Sequence, residues 1–194
     1  TEPKVVKYVD LPLQHAHDAV LRSMNRPDTR EGVEKLIKRL RERIPGVAIR
    51  STFIVGFPGE TDTHYQALRS FVEAQRFDKV GIFTYSEEED TPAAKMAQKV
   101  PEEVMQERYH DLMSLQSKIS EEINVSLEGK EVDVLIEGRD EEQEGISIGR
   151  SYREAPEVDG QIYIESDTES RVGDIARVRL LQGFTYDIVG EKVH

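Results

Sequence analysis

Apolar positions along this chain follow two different rhythms, and the change falls near residue 125. Before it, β-rich runs alternate with stretches of helical spacing. Val5 to Leu13 (VVKYVDLPL) reads as a strand ending around Pro12. Asp18 to Met24 places Val20, Leu21 and Met24 on one side of a short helix. Asp28 or Thr29 can cap the next helix, whose Val33, Leu36, Ile37, Leu40 and Ile44 fall close to one face. Pro45-Gly46 ends it. Val47 to Val55 is a second strand, Thr61 caps a helix bearing Tyr65, Leu68, Phe71 and Val72, and Lys79 to Tyr85 is a third strand. Beyond Pro101, which suits a first helical turn, Val104, Arg108, Leu112, Leu115, Ile119 and Ile123 mark one stripe of a long helix. Three strand–helix units in succession predict an α/β fold with a parallel sheet. Three units alone leave sheet edges open, so the expectation is part of a barrel, with exposed apolar edges and a tendency to associate.

After Asn124 the runs shorten. Val132–Glu137, Ile146–Gly149, Gln161–Glu165, Ala176–Leu181 and Tyr186–Val189 are strand-like and are separated by Gly, Asp and Pro. The polar stretch GRDEEQEG reads as a hairpin loop. Five short strands predict a small closed all-β barrel of the OB-like kind. The expected domains are therefore residues 1–125 and 126–194.

Composition changes this picture in three ways. The chain has 194 residues, 37% apolar and 33% charged, a globular composition with no apolar run near the roughly 20 residues that span a bilayer. It starts with Thr1, shows no signal-peptide core and enters a strand pattern almost at once, which predicts a piece of a longer chain. It has no cysteine, so disulfides, cysteine-ligated zinc and cysteine-held iron–sulfur clusters are excluded within these residues, and a cytoplasmic location is expected. Charge is uneven. From Ser126 to His194 there are 17 Asp/Glu and 8 Lys/Arg, so 8 − 17 = −9 of the total −12. Such a surface repels phosphate backbones and attracts basic partners, although acidity also serves simple solubility.

The candidate chemistry clusters at strand ends, where open α/β sheets and barrels bind ligands. The second strand runs into Gly56-Phe57-Pro58-Gly59-Glu60. Glycine permits close approach of a ligand to the backbone, and Pro58 stiffens the turn. Glu60 sits where a carboxylate suits a helix N-terminus, and capping is its favoured role. Gln14 and His15 end the first strand, where a lone His is usually a hydrogen-bonded loop residue. His15 and His17 without a nearby carboxylate cluster make a weak metal signal. Arg50 interrupts an apolar strand on the face of Thr52 and Ile54 and requires an anionic partner, either a ligand carboxylate or a neighbouring Glu. Tyr85 and Ser86 end the third strand, and the run Glu87–Asp90 is by default a solvated loop. There is no P-loop, GxGxxG, HExxH or GxSxG.

Three stretches taken together, YVDLPLQHAHDAVLRSMNR, RSTFIVGFPGET and FTYSEEEDTPAA, resemble the radical S-adenosylmethionine methylthiotransferases, and the final segment resembles their TRAM domain. LPLQHA and GRSYREAPEVDG are similar to the RimO branch, which modifies the β-carbon of an aspartate in ribosomal protein S-twelve of the small subunit. The other branch modifies tRNA adenosine, and the acidic C-terminal segment argues against it. The resemblance implies the C-terminal half of a partial (β/α) barrel followed by a five-stranded TRAM barrel. It implies S-adenosylmethionine and two 4Fe-4S clusters in the parent protein, with the CxxxCxxC loop and the other cluster's cysteines absent here. Activity of this chain alone is therefore not expected. It implies a basic ribosomal protein as partner through the acidic TRAM domain, and no membrane. It further implies that Gly56, Phe57 and Pro58 line the S-adenosylmethionine pocket, that the backbone of Phe83, Thr84 and Tyr85 meets the adenine, and that Gln14 and Arg50 bind ribose or the methionine carboxylate. Asp90 stands where the family pattern has Gly. The alternative from another class is a non-catalytic module that binds a ribosomal protein.

Overall fold

A computed structural model describes residues 2, 4–165 and 170–193 of the chain. They form two compact units. One is Val9–Gln116; the other combines Thr1–Tyr8 with Ser117–His194.

The first unit holds a three-stranded sheet in the order β1 (Tyr8–Gln14), β2 (Ala48–Val55), β3 (Lys79–Thr84). β2 and β3 are parallel, with Arg50 opposite Lys79 and Val55 opposite Thr84. Helices α1 (Asp18–Ser23), α2 (Arg30–Arg43) and α3 (Asp62–Gln75) connect the strands. Each start has a chemical cause. His17 caps α1 by accepting from the Ala19 amide, Thr29 caps α2, and Thr61 with His64 forms a reciprocal capping box on α3. Alternation along β2 buries Ile49, Ser51, Phe53 and Val55 on one face. Phe53 there meets Phe71 of α3 and Phe77 at ring-centroid distances of 6.3 and 5.7 Å, an edge-on aromatic core. Of the stripe expected on α2, Val33 and Ile37 are buried, whereas Leu36 remains 39% exposed. Only a narrow part of that helix is covered.

The long helix α4 (Glu102–Val125) serves both units in turn. Its Gln116 side chain donates to the Phe77 carbonyl at 3.0 Å in the first unit. From Ser117 onward it belongs to the second. There Asn124 donates to the Phe184 carbonyl at 2.7 Å, and its backbone fills the space a side chain on Gly183 would need. The compact division thus falls inside α4, earlier than residue 126, because the last turns of the helix pack on the strands that follow.

The second unit is a closed barrel in the order β4 (Glu131–Arg139), β5 (Ser147–Arg150), β6 (Ile162–Glu165), β8 (Ile188–Lys192), β7 (Ile175–Gly183). All neighbours are antiparallel except β6 and β8. Closure removes the edges that an open five-stranded sheet would expose. Period-two burial in β7 points Ala176, Val178 and Leu180 inward. A register shift between Leu180 and Gln182 then resets the phase, so that Gly183 is the next buried position. Val134, Ile136, Ile162, Ile164 and Ile188 complete the core. The polar stretch after Arg139 is the β4–β5 connection, as its composition predicts. No helix among the described residues is long and apolar enough to cross a membrane.

Candidate functional site

The three strands of the first unit bring their C-terminal ends to one cavity of about 660 Å³. Gln14 enters from β1, Ile54 and Phe57 from β2 and its turn, and Phe83, Thr84 and Tyr85 from β3. Met24, Pro92 and Ala93 extend the apolar wall. Phe57 and Tyr85 meet edge to face at 5.3 Å. Phe83 is 56% exposed, a large aromatic face offered to whatever enters. The Tyr85 hydroxyl is buried and has no hydrogen-bond partner among the described residues. Such an unsatisfied buried hydroxyl is an exception among buried polar groups, and Tyr85 itself is part of the cavity lining.

Five of the eight residues expected at the site converge here: Gln14, Phe57, Phe83, Thr84 and Tyr85. The other three stand outside the lining. Gly56 has φ +79°, so the turn does require glycine, but the space above its Cα is filled by Met105 of α4. A helix side chain takes the place that the sequence reserved for a ligand. Pro58 is buried in the same turn. Arg50 lies on the face of Thr52 and Ile54, as alternation predicts, and its anionic partner is Asp10 of β1 at 3.0 Å, neither a ligand nor a Glu.

Glu60 is more than a helix-end carboxylate. Thr61 is the cap of α3, whereas Glu60 folds back and accepts from the Gly56 amide and, at 3.2 Å, from the Phe57 amide. Its other oxygen lies 3.4 Å from Arg108 of α4. Burial pushes the Glu60 carboxyl above its ordinary range, opposed by the Arg108 charge and the two amides. Arg108 also bonds Asp62 and lies 5.5 Å from the centre of the Tyr65 ring. The Tyr65 hydroxyl donates to Asp111, and burial with that carboxylate raises its pKa. This network clamps the turn that carries Phe57.

His15 is buried, and its Nδ1 accepts from the His17 amide at 3.0 Å. Burial, then the charges of His17, His64 and Arg108, lower its pKa to about 3. It is a neutral structural residue and does not line the cavity. His17 is the α1 cap, and its ring stacks 4.2 Å from that of His64. Among the described residues no three His, Cys, Asp or Glu are grouped to hold a metal ion. The run Glu87–Asp90 is exposed, with Glu87 paired to Lys99. Asp90 has φ +67°, the left-handed conformation that glycine adopts freely.

Sequence reasoning missed Arg26 and the α4 contribution. Among the described residues that line the cavity, Arg26 alone has a full side-chain charge, but it lies after the α1 stripe with no periodicity to mark it. Met105 and Arg108 meet the turn 45 or more residues upstream, which no local pattern encodes.

Residues 2–72 match the family model of the Radical SAM superfamily, and residues 129–193 match that of the TRAM domain. A protein of Heliobacterium modesticaldum named ribosomal protein uS12 methylthiotransferase RimO is 53% identical over 99% of this chain and 41% of its own length. A protein of the same name from Geobacter sulfurreducens is 48% identical over 98% of this chain and 42% of its own. A solved structure of coproporphyrinogen III oxidase from Escherichia coli, described as a radical SAM enzyme, superposes with a TM-score of 0.51 at 19% identity, covering 58% of this chain and 27% of that one. That likeness shows the fold alone. Fold and matched segments together define a radical SAM protein with a TRAM barrel. Within that class the chain belongs to the RimO family. It spans about two fifths of the length of the curated relatives it matches.

Proposed function

We propose that this chain is part of a cytoplasmic methylthiotransferase that adds a methylthio group to the β-carbon of an aspartate in ribosomal protein uS12. In this reading the cavity of the first unit receives the nucleoside of S-adenosylmethionine. The aromatic wall of Phe57, Phe83 and Tyr85 at the strand ends, with Phe83 56% exposed, is the observation that carries it. An adenine needs flat apolar contact and a few hydrogen bonds at its edge, and about 660 Å³ suits a ligand of that size. Phe57, Phe83 and Tyr85 would hold the base, and Gln14 the sugar. S-adenosylmethionine supplies a radical-forming sulfonium when bound beside a reduced 4Fe-4S cluster. The clusters need thiolate ligands, and with no cysteine in this chain their site is not built from these residues.

The barrel is the proposed contact for the substrate protein. Residues 126–194 carry −9, which suits a lysine- and arginine-rich ribosomal protein and disfavours RNA. Glu141, Glu142 and Glu144 of the β4–β5 connection are exposed and offer adjacent carboxylates. The ladder on β4, β7 and β8 is self-paired, with Arg177 at 2.9 Å from Asp133 and Arg179 at 3.2 Å from Glu191.

Calorimetric titration tests both parts. The chain is expected to bind 5′-methylthioadenosine, and Phe83→Ala to weaken it about tenfold, as for the loss of one base–aromatic contact. It is expected to bind purified uS12 and not an unmodified tRNA anticodon stem-loop. Binding of the RNA alone would move the assignment to the tRNA-modifying branch.

A further inference from the structure

We infer that His15, His17 and His64 form a proton-operated clasp between the two loops that carry Gln14 and Phe57 into the cavity wall. The first loop joins β1 to α1 and holds His15 and His17. The second joins β2 to α3, and His64 stands in the first turn after its Thr61 cap. The rings of His17 and His64 meet across the gap, 4.2 Å apart. All three imidazoles use one atom in one way. Nδ1 of His15 accepts from the His17 amide at 3.0 Å, Nδ1 of His17 from the Ala19 amide at 3.2 Å, and Nδ1 of His64 from the Thr61 amide at 3.3 Å. An amide that donates to a ring nitrogen needs its lone pair, so each bond exists only while Nδ1 carries no proton. Adding one sets two donors face to face and leaves the amide without a partner.

The surroundings favour the neutral rings. Burial is the largest effect on both His15 and His17, and it disfavours the charged form. His15 is 2% exposed, and its Nε2 has no hydrogen-bond partner among the described residues, so an imidazolium there would be buried without an acceptor. The charges that reach it come from His17, His64 and Arg108 of α4, and each opposes a proton. His17 lies among His64 of α3, Arg22 of its own helix and Arg30 of α2, which oppose a proton as well. Asp18 favours one, but its carboxylate also accepts from the Arg30 amide at 2.8 Å. Asp62, in the same turn as His64, is held by Arg108. With folded pKa values below the unfolded one, the clasp is closed above about pH 6.5 and opens as pH falls. Ser23 and Met24, at the far end of α1, line the cavity together with Gln14 and Phe57. Opening therefore loosens the walls built by both loops, while the barrel, which shares none of these residues, stays closed.

The whole 194-residue chain serves for the test, with no ligand added. Long-range ¹H–¹⁵N spectra at about pH 7.5 read the tautomers directly, and Nδ1 should be unprotonated in all three rings. Hydrogen exchange then reports opening at the Leu21 and Tyr65 amides, which make the first helical bonds of α1 and α3, to the carbonyls of His17 and Thr61. From about pH 7 to about pH 5.5 their opening constants, corrected for intrinsic exchange, should rise about tenfold beyond any change in the amides of β7. A readout across the gap separates a clasp from two independent caps. His17→Asn keeps a good cap on α1 but does not titrate, and it should cut the rise at Tyr65 by about threefold or more. An unchanged rise at Tyr65 in this variant overturns the inference. So does an equal rise throughout the chain, no rise at all, or a proton on Nδ1 of His15 or His17 at about pH 7.5. The tautomers and the wild-type exchange decide between these outcomes even where the variant folds poorly.

Discussion

The Arg108 guanidinium of α4 lies 3.4 Å from the Glu60 carboxylate, and the two side chains are 6% and 0% exposed. Glu60 in turn accepts from the amides of Gly56 and Phe57. The helix therefore supports the turn that places Phe57 in the cavity wall. Replacing Arg108 with Met keeps the volume but leaves a buried carboxylate without its cation. Removing one partner of a buried pair costs about 3 kcal/mol. Urea unfolding should show a loss of that order for Arg108→Met. Most of it should return in the double variant with Glu60→Gln, which is neutral and still offers an acceptor to the turn. Additive losses would show that the two side chains act independently.

Gly56 is held at φ +79° directly under Met105. Alanine there meets two obstacles, a left-handed backbone and an occupied space. Together these predict a loss of about 3 kcal/mol. Adding Met105→Ala relieves the collision but not the backbone, so the double variant should recover only part. Complete recovery in urea melts would show that the backbone angle contributes nothing.

The neutral state of His15 gives the protein an acid-sensitive element. Its folded pKa of about 3 is below the unfolded value of 6.5, so the unfolded chain binds the extra proton between those limits. Stability is fully present above about pH 6.5 and is lost as pH falls towards 3. The loss should reach on the order of 2 kcal/mol by pH 5. His15→Gln removes the titrating ring. Its stability should fall less steeply than wild type between pH 6.5 and pH 4.5 in parallel urea titrations, whatever its stability at pH 7.

Asp90 occupies a left-handed conformation, φ +67°, on an exposed loop. Glycine adopts it without a Cβ penalty, at some cost in unfolded-state entropy. Asp90→Gly is expected to stabilise by about 0.5 kcal/mol, read as a rise in thermal midpoint. A fall would mean that the aspartate side chain contributes to the loop.

Much of the secondary structure could be read locally. Thr61 caps the helix it is expected to cap, and of the two candidates Asp28 and Thr29 it is Thr29 that caps α2, because a hydroxyl beside an apolar-periodic run satisfies orphan amides wherever the run packs. Strand ends at Gln14, Val55 and Thr84 match the β-rich runs to within a few residues. The site was legible where its residues are strand termini, since parallel connectivity gathers such ends on one side. Gly56 shows the limit. Its positive φ follows from its type and position, but whether a ligand or a helix meets it depends on α4, which arrives about fifty residues later.

By itself the sequence determined the rhythm of strands and helices, the five-stranded barrel, the missing thiols and the concentration of negative charge after residue 125. These follow from local periodicity, turn chemistry and composition, which each stretch of chain carries on its own. Only the tertiary structure decided that Arg50 is satisfied by Asp10, that Met105 lies over Gly56, and that Arg26 joins the cavity lining. Those outcomes depend on which distant side chains compete for the same charge or the same volume, and that competition is settled only when the elements pack.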